Sequence, residues 1–341
     1  MPAASAGNVL FSKLVAFKET TPGTIPTLTS GGRKLLVTPT GVISNGVTIE
    51  LGTERSVALR NPLISTTGAI VSTEPTLSAT VPAVSIGELP LWLSMLGTAT
   101  PAGTATPYIW DYDWSMTASN NPKSYTLIAT DGLQQYAANY VLAESITIAA
   151  DRSGLTNLSA SLFAQDIAKN SALLAETTPT SPFLAGRLWT AYQSGTVFPG
   201  TASGTAYNYL LDFSLEFNAG LMKQAYLAGT TVFSTHAESA PFTGTLTMTV
   251  SSTATAVSIW YDAYRAATPG GVRLAWSDGT RTANIMTMIV PTDVQQMAGA
   301  EDGLTTMAVT GTIVSHMVTP NDPTTAKSLR IIVGSDLSVL P

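Results

Sequence analysis

The chain contains two histidines, His236 and His316, the residue type that most often transfers protons near neutral pH. Serine and aspartate are also present, so the residue types needed for a Ser–His–Asp site exist. However, the sequence has neither a G-x-S-x-G nucleophile elbow nor an H-E-x-x-H zinc motif. Both histidines are therefore interpreted as surface or strand-face residues, and no catalytic residue is assigned.

The segment Trp110-Asp111-Tyr112-Asp113-Trp114 alternates aromatic and acidic side chains. Aromatic rings can stack on sugars and carboxylates can bind hard cations, so a glycan or cation site is one interpretation. Two carboxylates supply too few ligands for calcium by themselves. The favoured prediction is a hairpin with the carboxylates in solvent and the rings against protein, which makes Trp110, Asp111, Asp113 and Trp114 candidate contact residues.

Other kinds of chemistry lack the residues they need. The chain has no cysteine, which excludes disulfides, thiolate metal sites and thiol nucleophiles. It also has no G-x-G-x-x-G or P-loop motif for a nucleotide. We therefore predict no cofactor, no metal and no enzymatic activity.

The composition suggests a surface that is largely covered by protein. Charged residues make up 11% of the 341 residues and hydrophobic residues 45%, whereas a typical soluble domain is about 25% charged. No stretch approaches the roughly 20 apolar residues of a membrane-spanning helix. Net charge is −6 and the densest basic group is Arg33-Lys34, which disfavours tight nucleic-acid binding. The first ten residues lack a secretory signal pattern, so we expect folding in a cytoplasm.

The chain is expected to be all-β, because short runs rich in Val, Ile, Thr, Tyr and Leu alternate with turn residues. Several landmarks recur in the same order in both halves, which predicts an internal duplication. The matched landmarks are Thr76–Val81 with Thr245–Val250, Trp92 with Trp260, Asp131-Gly132 with Asp278-Gly279, Gly154-Leu155-Thr156 with Gly303-Leu304-Thr305, and Ala16-Phe17-Lys18 with Ala191-Tyr192-Gln193.

These landmarks divide the chain into two units. We predict a first domain at residues 1–169, a linker at 170–186 and a second domain at 187–341. The separation of the landmarks falls from 168 at the tryptophans to 147 at Asp-Gly, so the first copy carries an insertion at about 97–122. Each copy is predicted to contain a strand, a long loop, a strand, a short helix and three further strands.

The short helix of the first copy is predicted from Ser85 and Glu88, which have capping-box spacing, and from Gly97 as its end. Pro90 fits an early helical position. The apolar stripe that would pack against the strands consists of Leu89, Trp92, Leu93 and Leu96.

Two long segments, about 40–73 and 218–242, carry charged residues and occupy corresponding places in the two copies. Simple solvation and a docking loop with mixed charges both explain them. The docking candidates are Glu50, Glu54, Arg55, Arg60, Lys223 and Glu238.

The first half resembles the major tail tube proteins of siphophages, the phages with long non-contractile tails. The residues that carry the resemblance are those of segments 17–26 (FKETTPGTIP), 72–78 (STEPTLS), 88–97 (ELPLWLSMLG), 124–127 (SYTL) and 154–156 (GLT). It covers about residues 1–165 directly and the remainder through the duplication. The second copy lacks the Glu-Leu-Pro element.

The resemblance implies tandem β-sandwich or split-barrel domains that join edge to edge into rings and close a ring-wide β-barrel. Stacked rings would form the conduit for the genome, with viral DNA passing without specific binding and no membrane involved. Because the chain is double, trimeric rings are favoured over hexamers. Other implied partners are the tape measure protein in the lumen and the tip and terminator proteins, in a virion tail assembled in the bacterial cytoplasm.

Two alternatives remain open at this point. One is another virion component with tandem β-domains, such as a capsid decoration or fibre protein. The other is a carbohydrate-binding β-module built around Trp110 and Trp114.

Overall fold

The computed structural model describes residues 13–37, 43–44, 46–54, 63–115, 120–130, 134–170, 176–207, 209–224, 232–301, 304–317 and 326–341. Strands dominate these residues, and the helical segments are few and short. The all-β class expected from the sequence is confirmed.

The strands and helices have the following bounds. Before residue 178 the strands are β1 (Lys13–Lys18), β2 (Gly32–Leu35), β3 (Ile43–Ser44), β4 (Val47–Glu54), β5 (Leu63–Thr73), β6 (Thr76–Val81), β7 (Tyr108–Ser115), β8 (Tyr125–Thr130), β9 (Gln135–Asp151), β10 (Asn157–Phe163), β11 (Asp166–Asn170) and β12 (Glu176–Thr177). After it they are β13 (Trp189–Gln193), β14 (Thr205–Tyr207), β15 (Leu210–Asn218), β16 (Leu221–Gln224), β17 (Thr235–Glu238), β18 (Thr243–Ser251), β19 (Gly270–Ser277), β20 (Thr282–Glu301), β21 (Leu304–Ile313), β22 (His316–Met317) and β23 (Ala326–Ser335). The helices are α1 (Leu89–Ser94), α2 (Ala254–Ala256) and α3 (Asp262–Ala266), with a π-helical segment Val257–Tyr261 between the last two.

Eight strands pair antiparallel in the order β3, β6, β10, β9, β15, β18, β21, β20. We call this array the eight-stranded sheet. The strands β9 and β20 contribute only their second halves, residues 142–151 and 289–301. Side chains alternate along most of these strands, so that one face is apolar and buried, as on β6 with its exposed–buried alternation. The pairing of β9 with β15 joins the two halves of the chain into one surface.

The first halves of the long strands β9 and β20 belong to two further groups of strands. Residues 135–141 of β9 pair with β8 and β11, and β8 is followed outward by β1, β2 and the parallel strand β12. Residues 282–289 of β20 lie between β19 and β23, and β13 and β14 extend that group beyond β19. Each long strand therefore connects the eight-stranded sheet to one outer group.

A single large buried cluster fills the space between these layers. It contains Leu14 of β1, Leu77 of β6 and Trp92 of α1, together with Leu246 of β18 and Trp276 of β19. Because both halves of the chain contribute to it, they share one continuous hydrophobic core.

Strand pairs in the outer groups occupy matching positions in the two halves. Ala16 of β1 lies opposite Leu127 of β8, and Ala191 of β13 lies opposite Leu274 of β19. The two alanines are the first residues of the Ala-Phe-Lys and Ala-Tyr-Gln landmarks, so they have the separation of those landmarks. The two leucines are 147 residues apart, as are the two Asp-Gly landmarks.

The eight-stranded sheet has the same regularity. Ala79 of β6 lies opposite Ala160 of β10, and Met248 of β18 lies opposite Val309 of β21. These positions keep the separations of 169 and 149 residues that relate the landmarks in the sequence. The order of strand pairing in the second half thus follows that in the first.

Helix α1 lies at the predicted place, but its first turn differs from the prediction. Glu88 is the N-cap and makes no side-chain capping bond, and Ser85 donates its hydroxyl to the Glu88 carboxylate at 3.3 Å. The predicted capping box is therefore only half formed, because the Glu88 carboxylate accepts from the Ser85 backbone N–H but the Ser85 hydroxyl does not cap the helix. Glu88 is fully buried, and this burial raises its pKa, while the backbone N–H of Leu36, which donates at 3.1 Å, favours the charged form. All six residues of α1 are buried, so the helix packs on every side rather than through one stripe.

Both segments predicted as long loops contain strands. In the first, β4 pairs with β5, and in the second, β16 pairs with β17. We call these two pairs the first and second hairpin. Each one directly precedes a strand of the eight-stranded sheet, β6 and β18 respectively, so corresponding positions in the two halves carry corresponding hairpins.

The predicted local hairpin around Trp110 is also not what the structure shows. Strand β7 pairs along its length with the distant strand β23, and among the described residues the local pairing of β7 is a bridge between Ala102 and Ile109. In the predicted linker, β12 pairs with β2, Phe183 bridges to Ser85 and Ala185 bridges to Leu155.

Candidate assembly surfaces

The eight-stranded sheet presents its second face to solvent, and small polar side chains cover it. We call it the open face. Its alternation comes directly from sequences such as Thr-Leu-Ser-Ala-Thr-Val, in which every second residue is apolar and buried. The hydroxyl-bearing residues of this face are Thr76, Ser78, Thr80, Ser159, Ser161, Ser145, Thr147, Ser214, Thr243, Thr245, Thr247, Thr249, Thr310 and Thr312.

The charges on the open face are all of one sign. Asp151, Asp212, Glu216 and Asp293 lie on it, and Glu144 is exposed at a register shift in β9. None of the 16 lysines and arginines of the chain falls in the eight strand segments. Hydrogen bonds from Ser153 lower the pKa of Asp151, which therefore stays charged. Within its strand segments the open face is thus polar and acidic, and the cation Arg152 lies at its margin, directly after Asp151.

A buried carboxylate holds the bend in β9, and the sequence analysis did not identify it. Glu19 is 6% exposed and accepts hydrogen bonds from Tyr140 N at 2.8 Å, Thr126 Oγ1 at 2.9 Å and Gly23 N at 2.8 Å. Tyr140 has a φ of 51°, which is unusual for a residue with a side chain, and it lies between the two halves of β9. Glu19 is therefore a positioning residue for the eight-stranded sheet. Its only signal in the sequence is its place in the Glu-Thr-x-x-Gly stretch.

The aromatic rings of the Trp110–Trp114 segment face the core. Trp110, Tyr112 and Trp114 are each at most 2% exposed, and their polar atoms donate to the carbonyls of Leu337, Pro90 and Leu96. Burial raises the pKa of Tyr112 well above its usual range. Because the rings are enclosed, they form no platform on which a sugar could stack.

The carboxylates of the same segment pair with cations of the neighbouring strand β23. Asp111 accepts from Arg330 Nε at 2.9 Å, and Asp113 forms an ion pair with Lys327. The hydrogen bond to Asp111 raises the pKa of Arg330. These ion pairs hold β7 against β23. The candidate contact residues of the insertion therefore make their contacts with other residues of the same chain.

The six docking candidates lie partly in the two hairpins. Glu50 and Glu54 are on β4, and Arg55 and Arg60 lie outside the described residues. In the second hairpin, Lys223 pairs with Glu74 at 3.1 Å, and a carboxylate oxygen of Glu238 accepts from Asn120 N at 2.6 Å. The structure therefore places the candidates on two separate hairpins and brings Lys223 and Glu238 onto paired strands.

The two histidines lie on strands of different sheets. His236 is on β17 and its Nδ1 is 3.0 Å from Tyr140 Oη, while His316 is on β22 beside Lys327. Burial lowers the pKa of His236, although Glu238 partly opposes this shift. Among the described residues, no three His, Asp or Glu side chains come together as metal ligands would. Within the same residues, no helix has the length and apolar character needed to cross a membrane.

The sequence also matches a known protein family. The family model described as "Phage tail tube protein" matches residues 12–322, which include every strand of the eight-stranded sheet. A search of the curated proteins gave no match. Since the matched segment spans most of the 341 residues, the chain belongs to the phage tail tube protein family.

Proposed function

We propose that this chain is the major tail tube subunit of a phage with a long non-contractile tail, and that it self-assembles into stacked rings around a conduit for the genome. Membership of the tail tube family supports a structural role in the tail. The observation that carries the proposal further is the open face, a broad polar surface whose charges are all acidic.

The open face suits the wall of a channel through which DNA moves. Lysine and arginine would release counterions from phosphates and retain the DNA, whereas carboxylates repel it. The exposed acid Glu216 lies on the central strand β15 and Asp293 on the edge strand β20, so the repulsion is spread over the wall. The hydroxyl groups between these acids keep the surface hydrated. DNA would therefore pass without specific binding.

We propose further that the chain contains two copies of one tail tube domain. The matching register of strand pairs in the two halves supports this, as does a register shift beside Glu144 of β9 that recurs beside Thr292 of β20. The proposed division into residues 1–169, 170–186 and 187–341 follows the landmarks in the sequence. Each copy supplies four strands to the eight-stranded sheet.

The width of a channel then favours three chains per ring over six. Three chains supply twenty-four strands, and strands about 4.8 Å apart that tilt by about 40° close a barrel about 48 Å across at the backbone. Side chains narrow the opening, which remains wider than a DNA double helix. Six chains would double the diameter and leave most of the channel unfilled.

The two hairpins are the proposed contacts between stacked rings. They project from corresponding places in the two halves and carry Glu50, Glu54, Lys223 and Glu238. Opposite charges on facing hairpins would set the register of one ring on the next. The remaining proposed partners are the tape measure protein in the lumen and the tip and terminator proteins, with assembly of the tail in the host cytoplasm.

The first test is electron microscopy of the purified, concentrated protein. We expect hollow tubes with a regular axial repeat, and a reconstruction in which Glu216 and Asp293 line the channel. Tubes whose channel is lined by another surface would contradict the assignment of the wall. A protein that stays monomeric at high concentration and also fails to enter particles in infected cells would contradict the tube function.

The charge of the wall has its own test in assembled phage. The double variant Glu216→Lys, Asp293→Lys places cations on the open face, and we expect it to slow DNA ejection while tubes still form. The matched control carries lysine at Asp166 and Asp262, two exposed acids outside the eight-stranded sheet. Equal ejection rates in both variants would contradict an acidic wall that acts on DNA.

A further inference from the structure

A cavity of about 220 Å³ lies where the two halves of the chain meet. Its wall is formed by the end of β9, by the short 3₁₀ turn Gly186–Leu188 and by the strands β13, β14 and β15. An apolar cavity of about 150 Å³ holds a benzene molecule, so this cavity has room for a ring with one small group attached. The proposed channel wall and hairpin contacts leave it unused.

The apolar part of the cavity wall is aromatic. Trp189, Tyr207 and Phe213 line it, and all three are buried. The rings of Trp189 and Phe213 meet edge to face with their centroids 5.1 Å apart, and Trp189 Nε1 donates to Thr156 Oγ1 at 2.8 Å. These contacts fix the rings before any ligand arrives. A flat ring can therefore pack against this wall without the cost of ordering its side chains.

The charged part of the lining favours a single negative charge on the ligand. Arg187 is exposed, and among the described residues its side chain makes neither a hydrogen bond nor an ion pair. Arg152 also lines the cavity but interacts electrostatically with Asp151, the residue before it. The carboxylate of Asp212 belongs to the same lining and would repel a second negative charge. Arg187 is thus the cation that remains for an anion, and its planar guanidinium matches the geometry of a carboxylate.

We propose that this cavity binds a small aromatic monocarboxylate. The ring of the ligand lies against Trp189 and Phe213, and its carboxylate accepts two hydrogen bonds from the Arg187 guanidinium. Benzoate, a benzene ring with one carboxylate, has the size and charge that the cavity requires. The site is complete within one chain and does not depend on the tube function. Because the bound ligand contacts the end of β9 and the strands β13–β15, it stabilises the folded chain across the junction of the two halves.

The test is a benzoate titration of the full-length protein labelled with 5-fluorotryptophan and followed by ¹⁹F NMR. The variant Trp189→Phe assigns the resonance of Trp189. Benzamide serves as the ligand control, since it has nearly the same shape and no charge. Arg187→Gln removes the cation from the cavity, and the matched control Arg265→Gln removes an exposed arginine outside it.

We expect benzoate to shift the Trp189 resonance with a Kd of about 1 mM, as is reasonable for so small a ligand. Arg187→Gln should raise this Kd about tenfold, because a charge-assisted hydrogen bond is lost, and Arg265→Gln should leave it unchanged. Benzamide should bind as weakly to the unaltered protein as benzoate does to Arg187→Gln. The proposal would be overturned by a Trp189 resonance that does not move, by equal affinities in the two arginine variants, or by benzamide binding as tightly as benzoate. Each of these results would leave the tube function untouched.

Discussion

Removal of the Glu19 carboxylate should destabilise the subunit more than any exposed acid does. Glu19 accepts three hydrogen bonds, and two of its donors, Tyr140 N and Thr126 Oγ1, belong to buried residues. In Glu19→Ala these donors lose their partner and no solvent replaces it. An unsatisfied buried donor costs about 1–3 kcal/mol, so the two together should cost about 2–6 kcal/mol.

That loss is large against the total stability of a folded protein, typically about 5–15 kcal/mol. It should also act at a defined place, because Tyr140 holds the positive φ that separates the two halves of β9. Release of this bend would weaken the connection between the outer strands and the eight-stranded sheet. We therefore expect Glu19→Ala to lower both the free energy of unfolding and the yield of tubes.

The measurement is urea unfolding of the unassembled protein, followed by circular dichroism. Glu144→Ala is the matched control, since Glu144 is an exposed acid on the same long strand and should change stability by no more than about 0.5 kcal/mol. Glu19→Gln keeps one acceptor oxygen and should fall between the two. Equal losses in Glu19→Ala and Glu144→Ala would refute the argument that the carboxylate holds the bend.

Further expectations concern the second hairpin and strand β7. Trp114→Ala should lower the free energy of unfolding by about 3–5 kcal/mol, because the ring is buried and its centroid lies 5.3 Å from that of the Phe217 ring. A smaller loss in urea unfolding would contradict this packing. Asp111→Ala should cost at most about 1 kcal/mol in the same assay, since the ion pair with Arg330 is partly exposed. The lowered pKa of His236 means that the unfolded chain binds its proton more readily, so stability should fall as pH drops from about 6.5 towards the lower folded pKa. Replacing His236 with Gln should flatten that dependence, and an unchanged pH profile would count against it.

The periodicity of the strands was accessible from the sequence because it depends on local alternation. Thr76–Val81 alternates polar and apolar residues, and the structure buries Leu77, Ala79 and Val81 as this pattern requires. The helix at Leu89–Ser94 was also accessible, since Pro90 and the following apolar residues mark it. The strands inside the two long segments could not be predicted from the sequence, because no strong turn signal marks the pairing of β4 with β5 or of β16 with β17.

The sequence by itself therefore determined the all-β class, the recurrence of landmarks in both halves and the scarcity of charge. Tertiary structure decided which distant strands became neighbours, as in β9 with β15 and β7 with β23. Alternation specifies the face that a strand buries but not the partner beside it, since partners are selected by packing over the whole core. For the same reason the acidic open face became visible only when eight separate segments were placed side by side, and the role of Glu19 only when Tyr140 and Thr126 were placed around its carboxylate.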